Sequence, residues 1–329
     1  MLDRRHALLS LGTACAWPLF KSTPVRAQST LPNRDLDILI GFLGGAGTDT
    51  SARLIAAELQ RRLGRRVSVE VRPGESGTTM AKLLKQSPRD GSVIGFIPST
   101  TLAARLAIKT AAFDPVNDLT PISMAGTFSM GFAVSPKIGV STFEEYLEWA
   151  KNGDSRHRRL GNTASDAFIT VLDLIIGRAL GLTLEPVAYR GASPMVKDLE
   201  DGRLPAAVAS VTSLLEHHRG GRLKLLLTSG THRLRKAPDI PTARELGFPD
   251  LEMREWFAFF GPPAMPAPLV DEWNRQLRSA LSNRDLTSEL AQFGLDVDTS
   301  TPQELASQVK LILAAWSARI REVGFQPAN

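Results

Sequence analysis

Between residues 36 and 63 the spacing of apolar positions changes period. Leu36, Ile38, Leu39 and Ile40 form a short, nearly continuous apolar run, whereas Ala52, Ile55, Ala56, Leu59 and Leu63 recur every three or four residues. The first pattern predicts a buried strand and the second one face of a helix over Thr50 to Leu63. Between them lies Gly44-Gly45-Ala46-Gly47-Thr48-Asp49. A strand that turns through glycines into a helix start leaves backbone N–H groups and the positive end of the helix dipole directed at one spot. That spot suits an anion. A turn capped by Thr48 or Asp49, with no ligand, accounts for the same residues.

The alternation of strand and helix continues. Val67 to Val71 reads as a strand that runs into Arg72-Pro73-Gly74-Glu75-Ser76-Gly77, followed by a helix over Thr79 to Lys85 and a buried strand over Val93 to Ile97. This βαβαβ opening predicts an α/β fold with a parallel sheet covered by helices. Ligands of such sheets sit beyond the carboxyl ends of the strands, so the loop Pro98-Ser99-Thr100-Thr101 is expected beside Gly44 to Asp49.

A second unit follows, with strands at Ile122 to Met124 and Met130 to Val134 and a helix opened by Ser141, with Glu144 as its capping-box partner. Arg159 to Ser165 then repeats the opening theme: a short strand, a glycine, small hydroxyl residues, and a long helix from Asp166 to Leu180. Two such loops, one in each half and facing each other, would clamp a carboxylate from both sides. Further strands are expected at 184–187, 204–211 and 223–228, and helices at 196–199 and 243–246. Trp256 to Phe260 reads as a strand returning to the first domain, and two amphipathic helices, 268–282 and 302–323, finish the chain.

Composition narrows the class. At 329 residues, 43% hydrophobic and 22% charged, the chain has an ordinary globular profile and a length that suggests about two domains. The net charge of +5 is spread among acidic residues, and aromatics do not interleave with the basic ones, which argues against nucleic acid. Residues 1–27 read as a cleaved export signal: Arg4-Arg5, an apolar run from Ala7 to Ala16, and the small-residue ending Val25-Arg26-Ala27. The arginine pair resembles a twin-arginine signal, with general secretion as the alternative. The only cysteine, Cys15, lies in that signal and lacks a lipobox, so no disulfide or thiol chemistry is expected after cleavage.

Several chemistries lack their motifs. Gly45-Ala46-Gly47 is not completed to the dinucleotide fingerprint, and no lysine follows to make a Walker loop. No Gly-x-Ser-x-Gly elbow occurs. His157, His217, His218 and His232 show no metal-ligand spacing, and the adjacent pair His217-His218 reads as a solvated helix end. The expectation is therefore a binding protein without catalytic residues, metal or cofactor.

Distributed motifs resemble one family across nearly the whole exported chain. They are Phe42 with Gly45-x-Gly47-Thr48-Asp49, Arg72-Pro73-Gly74 with Gly77, Pro88-x-Asp90-Gly91, and Asp114-Pro115-Val116-x-Asp118-Leu119-x-Pro121. Gly161-Asn162, Tyr189-Arg190-Gly191-Ala192, Asp239-Ile240-Pro241-Thr242 and Trp256-Phe257 follow in order. The chain resembles the Bug family of periplasmic solute receptors, the extracytoplasmic component of tripartite tricarboxylate transporters.

That resemblance implies a two-lobed, type II (Venus-flytrap) periplasmic binding protein with a parallel-rich sheet in each lobe. It divides the chain into 28–127 and 257–329 for the first lobe and 128–256 for the second, with a hinge near 125–130 and 255–257. It places the ligand contacts on Phe42, Gly45, Ala46, Gly47 and Thr48, and on Asn162, Thr163, Ala164, Ser165 and Ala192. Ser99 joins them from the third strand's loop, and Asp49 is left to cap the first helix. The expected ligand is a small carboxylate, and the expected partners are the membrane subunits of a transporter or a sensor protein. A monomer is expected. The chain departs from the family at Leu43 and Gly44, where prolines are usual, at Thr163-Ala164-Ser165, at Ala167 in place of histidine, and at Ala209-Ser210 in place of an Asp-Asn pair.

Overall fold

The structure is a computed structural model and describes residues 30–43, 47–107, 113–163 and 166–326. Its strands, β1 (Leu36–Ile40) to β10 (Glu255–Gly261), form two five-stranded sheets. In chain order the first unit is β1, α1 (Gly47–Leu63), β2 (Val67–Val71), α2 (Thr78–Lys85), β3 (Val93–Pro98), α3 (Ser99–Ala104) and β4 (Thr120–Phe128). The second is β5 (Met130–Val134), α4 (Phe143–Asn152), β6 (Arg159–Asn162), α5 (Asp166–Leu180), β7 (Glu185–Ala188), α6 (Ala192–Asp201), β8 (Ala206–Ser210), α7 (Val211–Arg219) and β9 (Lys224–Thr228). β10 then precedes α8 (Ala267–Leu281), α9 (Arg284–Gln292) and α10 (Pro302–Glu322).

The strand orders are β2-β1-β3-β10-β4 and β7-β6-β8-β5-β9. Each sheet has one reversed strand, fourth in its order: β10 runs antiparallel to β3 and β4, and β5 to β8 and β9. These are the two strands that enter from the other lobe. The parallel strands of both lobes point their carboxyl ends at the shared cleft, so a strand arriving across that cleft starts at this edge and runs back. Only Ser129 separates β4 in one sheet from β5 in the other.

Both faces of the first sheet are apolar. Phe96, Phe257, Phe259 and Phe128 stack along one face, with centroids 4.4 to 4.9 Å apart, against Ile55 and Leu59 of α1 and Trp273 and Leu277 of α8. Met80 and Leu84 of α2 and Leu305 and Val309 of α10 cover the other face. At roughly 1.5–3 kcal/mol per fully buried large apolar side chain, this two-sided burial dominates the lobe's stability. The hydrogen bond from Trp273 Nε1 to the Gly91 carbonyl, 2.9 Å long, accommodates the one polar atom of that ring.

The structure corrects several expectations. Residues 98–101 are not a loop, because Ser99 begins α3, whose Leu102, Ala103 and Ala104 are buried. The cap of α4 is Thr142, one residue later than expected. Its hydroxyl accepts from Glu145 N at 3.2 Å, while Glu145 Oε2 accepts from Ser141 N at 2.6 Å. The shift places Phe143 at the first helical position and in the core. Residues 243–246 form a turn, closed by Phe248 N donating to Ala243 O at 2.9 Å. Three helices, not two, finish the chain: α9 carries only Leu286 and Leu290 into the core, too few apolar positions for a legible period. His217 and His218 are half-buried rather than solvated, and burial lowers the pKa of both.

Candidate functional site

Helices α1, α5, α6 and α7 each follow a parallel strand and begin where that strand ends. Their N-termini therefore share the cleft edge, and each adds N–H groups without intrahelical partners and a partial positive charge. α6 begins after Gly191, whose φ of +138° only glycine adopts easily, and has no side-chain cap. α7 is capped by Ser210, whose Oγ accepts from Thr212 N at 3.3 Å.

Two small cavities lie in the cleft. The first, of about 60 Å³, has Phe42, Thr48 and Thr100 on one side and Thr163, Ala192 and Ser213 on the other. The second, of about 50 Å³, shares Phe42, Thr100, Met130 and Thr163 with the first. It is extended by Asn162, Phe168, Leu172, Met253, Glu255 and Trp316. At roughly 10–15 Å³ per water-sized occupant, each has room for about four.

Of the residues singled out by sequence, Phe42, Thr48, Thr163 and Ala192 line the first cavity, and Phe42, Asn162 and Thr163 the second. Gly45, Ala46, Ala164 and Ser165 lie outside the described residues. Gly47 opens α1, but its N–H donates to Ser213 Oγ of the other lobe at 3.1 Å. Ser99 is fully buried and lines neither cavity; its hydroxyl donates to Glu255 Oε2 and accepts from Trp256 N at 3.0 Å. Asp49 lies inside the first turn of α1 and pairs with Arg53 Nε at 2.8 Å, a position favourable for the helix dipole.

Thr100, from the stretch expected at this edge, lines both cavities; sequence reasoning missed Met130, Ser213 and above all Glu255 as site residues. Burial pushes the Glu255 carboxyl up to about 7, against the opposing pull of the Ser99 hydrogen bond and of Arg319. An acid inside an otherwise apolar strand, Glu255-Trp256-Phe257, was the available signal. Ala209 and Ser210, where the resemblance expects an Asp-Asn pair, line the first cavity, so no carboxylate from these positions enters it.

The lobes touch on both flanks. On one, a Cβ on Gly47 would stand 2.0 Å from Thr212 Oγ1 and 2.5 Å from the Thr212 carbonyl carbon. Arg219 Nη1 of α7 also donates to the Gln292 carbonyl at 2.8 Å. On the other flank, Phe168 of α5 meets Trp316 of α10 with centroids 5.1 Å apart. Both rings are buried in a cluster shared with Ala103, Ala104 and Met253.

Two α/β lobes joined by crossing strands, with helix N-termini around a cleft, define a two-lobed solute-binding protein. The chain belongs to the tripartite tricarboxylate transporter family receptor group, whose family description matches residues 51–325. It is 27% identical over 305 residues to protein BugT of Bordetella pertussis, spanning 92% of this chain and 93% of that one. Among solved structures it is similar to the periplasmic binding protein BugD (TM-score 0.83, 24% identity, 90% and 99% of the two chains). It is also similar to MatC of Rhodopseudomonas palustris with bound malate (TM-score 0.81, 24% identity, 88% and 100%). A third, from R. palustris with adipate, gives a TM-score of 0.85 at 24% identity, over 90% and 99% of the two chains. Family and fold are thus those of receptors that bind solutes.

Proposed function

We propose that this chain is a periplasmic receptor that closes its two lobes on a small carboxylate and presents it to the membrane subunits of a tripartite transporter. The observation that carries the reading is the ring of helix N-termini, α1 from one lobe and α6 and α7 from the other, around a cavity with no carboxylate on its wall among the described residues. Unpaired N–H groups and dipole ends select an anion, and hydroxyls of Thr48, Thr163 and Ser213 supply neutral donors. Malate and adipate bound by proteins of the same fold support the class of ligand.

Residues 1–27 act as the export signal, and the lobes divide at 127/128 and 256/257. The hinge lies at Ser129, where Met130 N donates to Ser229 Oγ at 2.9 Å and Ser229 Oγ donates to Met253 O at 2.9 Å, tying the two crossings together. Closure about such a hinge is a known class of motion. The receptor acts as a monomer, one ligand per chain.

Thermal-shift screening of the exported chain tests the reading. A ligand that binds only the folded state raises the melting temperature by mass action. Stabilisation by carboxylates supports it; a panel in which only sugars or cations stabilise, or one in which an added acid is chemically converted, overturns it.

A further inference from the structure

Resting on that reading, we infer that the second cavity is a tail pocket, and that the receptor selects monocarboxylates with an apolar tail over dicarboxylates of the same length. The first cavity collects the helix N-termini and hydroxyls, so it takes the carboxylate. The second continues from it across Thr100, Met130 and Thr163 but changes character. Beyond the shared residues its wall is mainly Phe168, Leu172, Val208, Met253 and Trp316, with the neutral Ser76 and Asn162 and one acid, Glu255.

No lysine or arginine lines either cavity among the described residues. Residues 44–46 and 164–165, outside the described residues, contain none in sequence. Arg319, the cation whose charge reaches Glu255, has its Nη2 on the Glu252 carbonyl at 2.7 Å and is not part of the wall. A second ligand carboxylate placed there would lose its hydration and face the Glu255 carboxyl, with no cation on the described wall and the Arg319 charge already shared with Glu255. Burying an unpaired charge in such surroundings is strongly unfavourable. An alkyl or aryl tail would instead remove apolar surface from water on both sides, at about 0.8 kcal/mol per CH₂. Phe168 and Trp316 come from different lobes, so the tail would be enclosed only on closure.

Isothermal titration of the exported chain at pH 7.5 with hexanoate and with adipate, six carbons each, tests this. The expected result is hexanoate binding at least tenfold more tightly than adipate, with the ratio narrowing at least threefold in Glu255→Gln. In Met253→Lys, which adds a cation to the pocket, adipate should gain relative to hexanoate. The wild-type ratio needs no variant to fold. Equal or tighter adipate binding overturns the inference while leaving the carboxylate receptor intact, as does binding of malate or acetate without hexanoate. Absence of binding by every carboxylate removes the underlying reading as well.

Discussion

The backbone N–H of Gly47, in the first turn of α1, donates to Ser213 Oγ, in the first turn of α7, at 3.1 Å. The two residues belong to different lobes, so the hydrogen bond exists only when the cleft is closed, and it commits one of the N–H groups that an anion would otherwise share. Ser213→Ala should therefore loosen closure. A net loss of about 0.5–1.5 kcal/mol corresponds to a two- to tenfold weaker carboxylate affinity by titration, with the melting temperature of the free protein nearly unchanged.

Gly47 should tolerate far less. A Cβ there meets the Thr212 side chain and also the Thr212 carbonyl carbon, at 2.5 Å. Gly47→Ala is expected to hold the lobes apart, reduce affinity by more than tenfold and abolish ligand-induced compaction in small-angle scattering. Because backbone is part of the clash, adding Thr212→Ala should not restore binding; full rescue would show that only the side chain matters.

Stability should fall as pH rises from about 4.5 to about 7. The Glu255 carboxyl is fully buried and pushed up from 4.5 to about 7, and burial likewise raises Asp173 to about 7, with neither oxygen hydrogen-bonded. For these two carboxyls the folded chain holds protons in this window that the unfolded chain has released, so each unit of pH costs stability; His217 and His218, whose pKa burial lowers, act in the opposite sense and offset part of that slope. For Glu255 the full effect is on the order of 3 kcal/mol. Glu58, which Arg61 holds down to about 2, acts only at lower pH. Melting curves from pH 4.5 to 8 should slope downward in the wild type, less in Glu255→Gln, and less again when Asp173→Asn is added. Identical slopes in the wild type and in Glu255→Gln would refute the assignment.

The sequence made the α/β class and the positions of most strands legible because apolar runs bounded by glycine and proline leave few alternatives. Leu36–Ile40 and Val67–Val71 are found as expected. It also pointed to cavity-lining residues on both sides of the cleft, Phe42 and Thr48 on one and Thr163 on the other, because glycine-to-helix turns are local. Glu255 and Ser213 were not legible, since their importance comes from long-range pairing: β10 returns from the second lobe to place Glu255 beside Ser99, 156 residues earlier, and lobe closure brings Ser213 to Gly47. α9 was missed for a different reason, having only two buried apolar positions to mark it.

The Phe168 and Trp316 rings form the opposite flank of the closed state, both about 2% exposed. Trp316 belongs to a helix that also covers the first sheet, so its removal should damage the fold as well as closure. Phe168 is the cleaner probe. Phe168→Ala is expected to weaken ligand binding more than it lowers the melting temperature of the free protein, and Phe168→Leu to restore most of the loss. Equal damage to stability and affinity would mean that this cluster belongs to the fold of one lobe rather than to the junction.

Thr48 and Thr163 offer the most direct test of the clamp, because they come from opposite lobes and line the same cavity. Thr48→Val and Thr163→Val keep each side chain's shape and remove one hydroxyl. A hydrogen bond to a charged group contributes about 1.5–3 kcal/mol, so each variant should bind a carboxylate at least tenfold more weakly. If both hydroxyls reach the same carboxylate, its oxygens can reorient when one partner is lost, and the double variant should lose more than the two single losses combined. If each reaches a different group of the ligand, the losses should simply add. Unchanged affinity in both single variants, with the fold intact by circular dichroism, would place the anion elsewhere in the cleft.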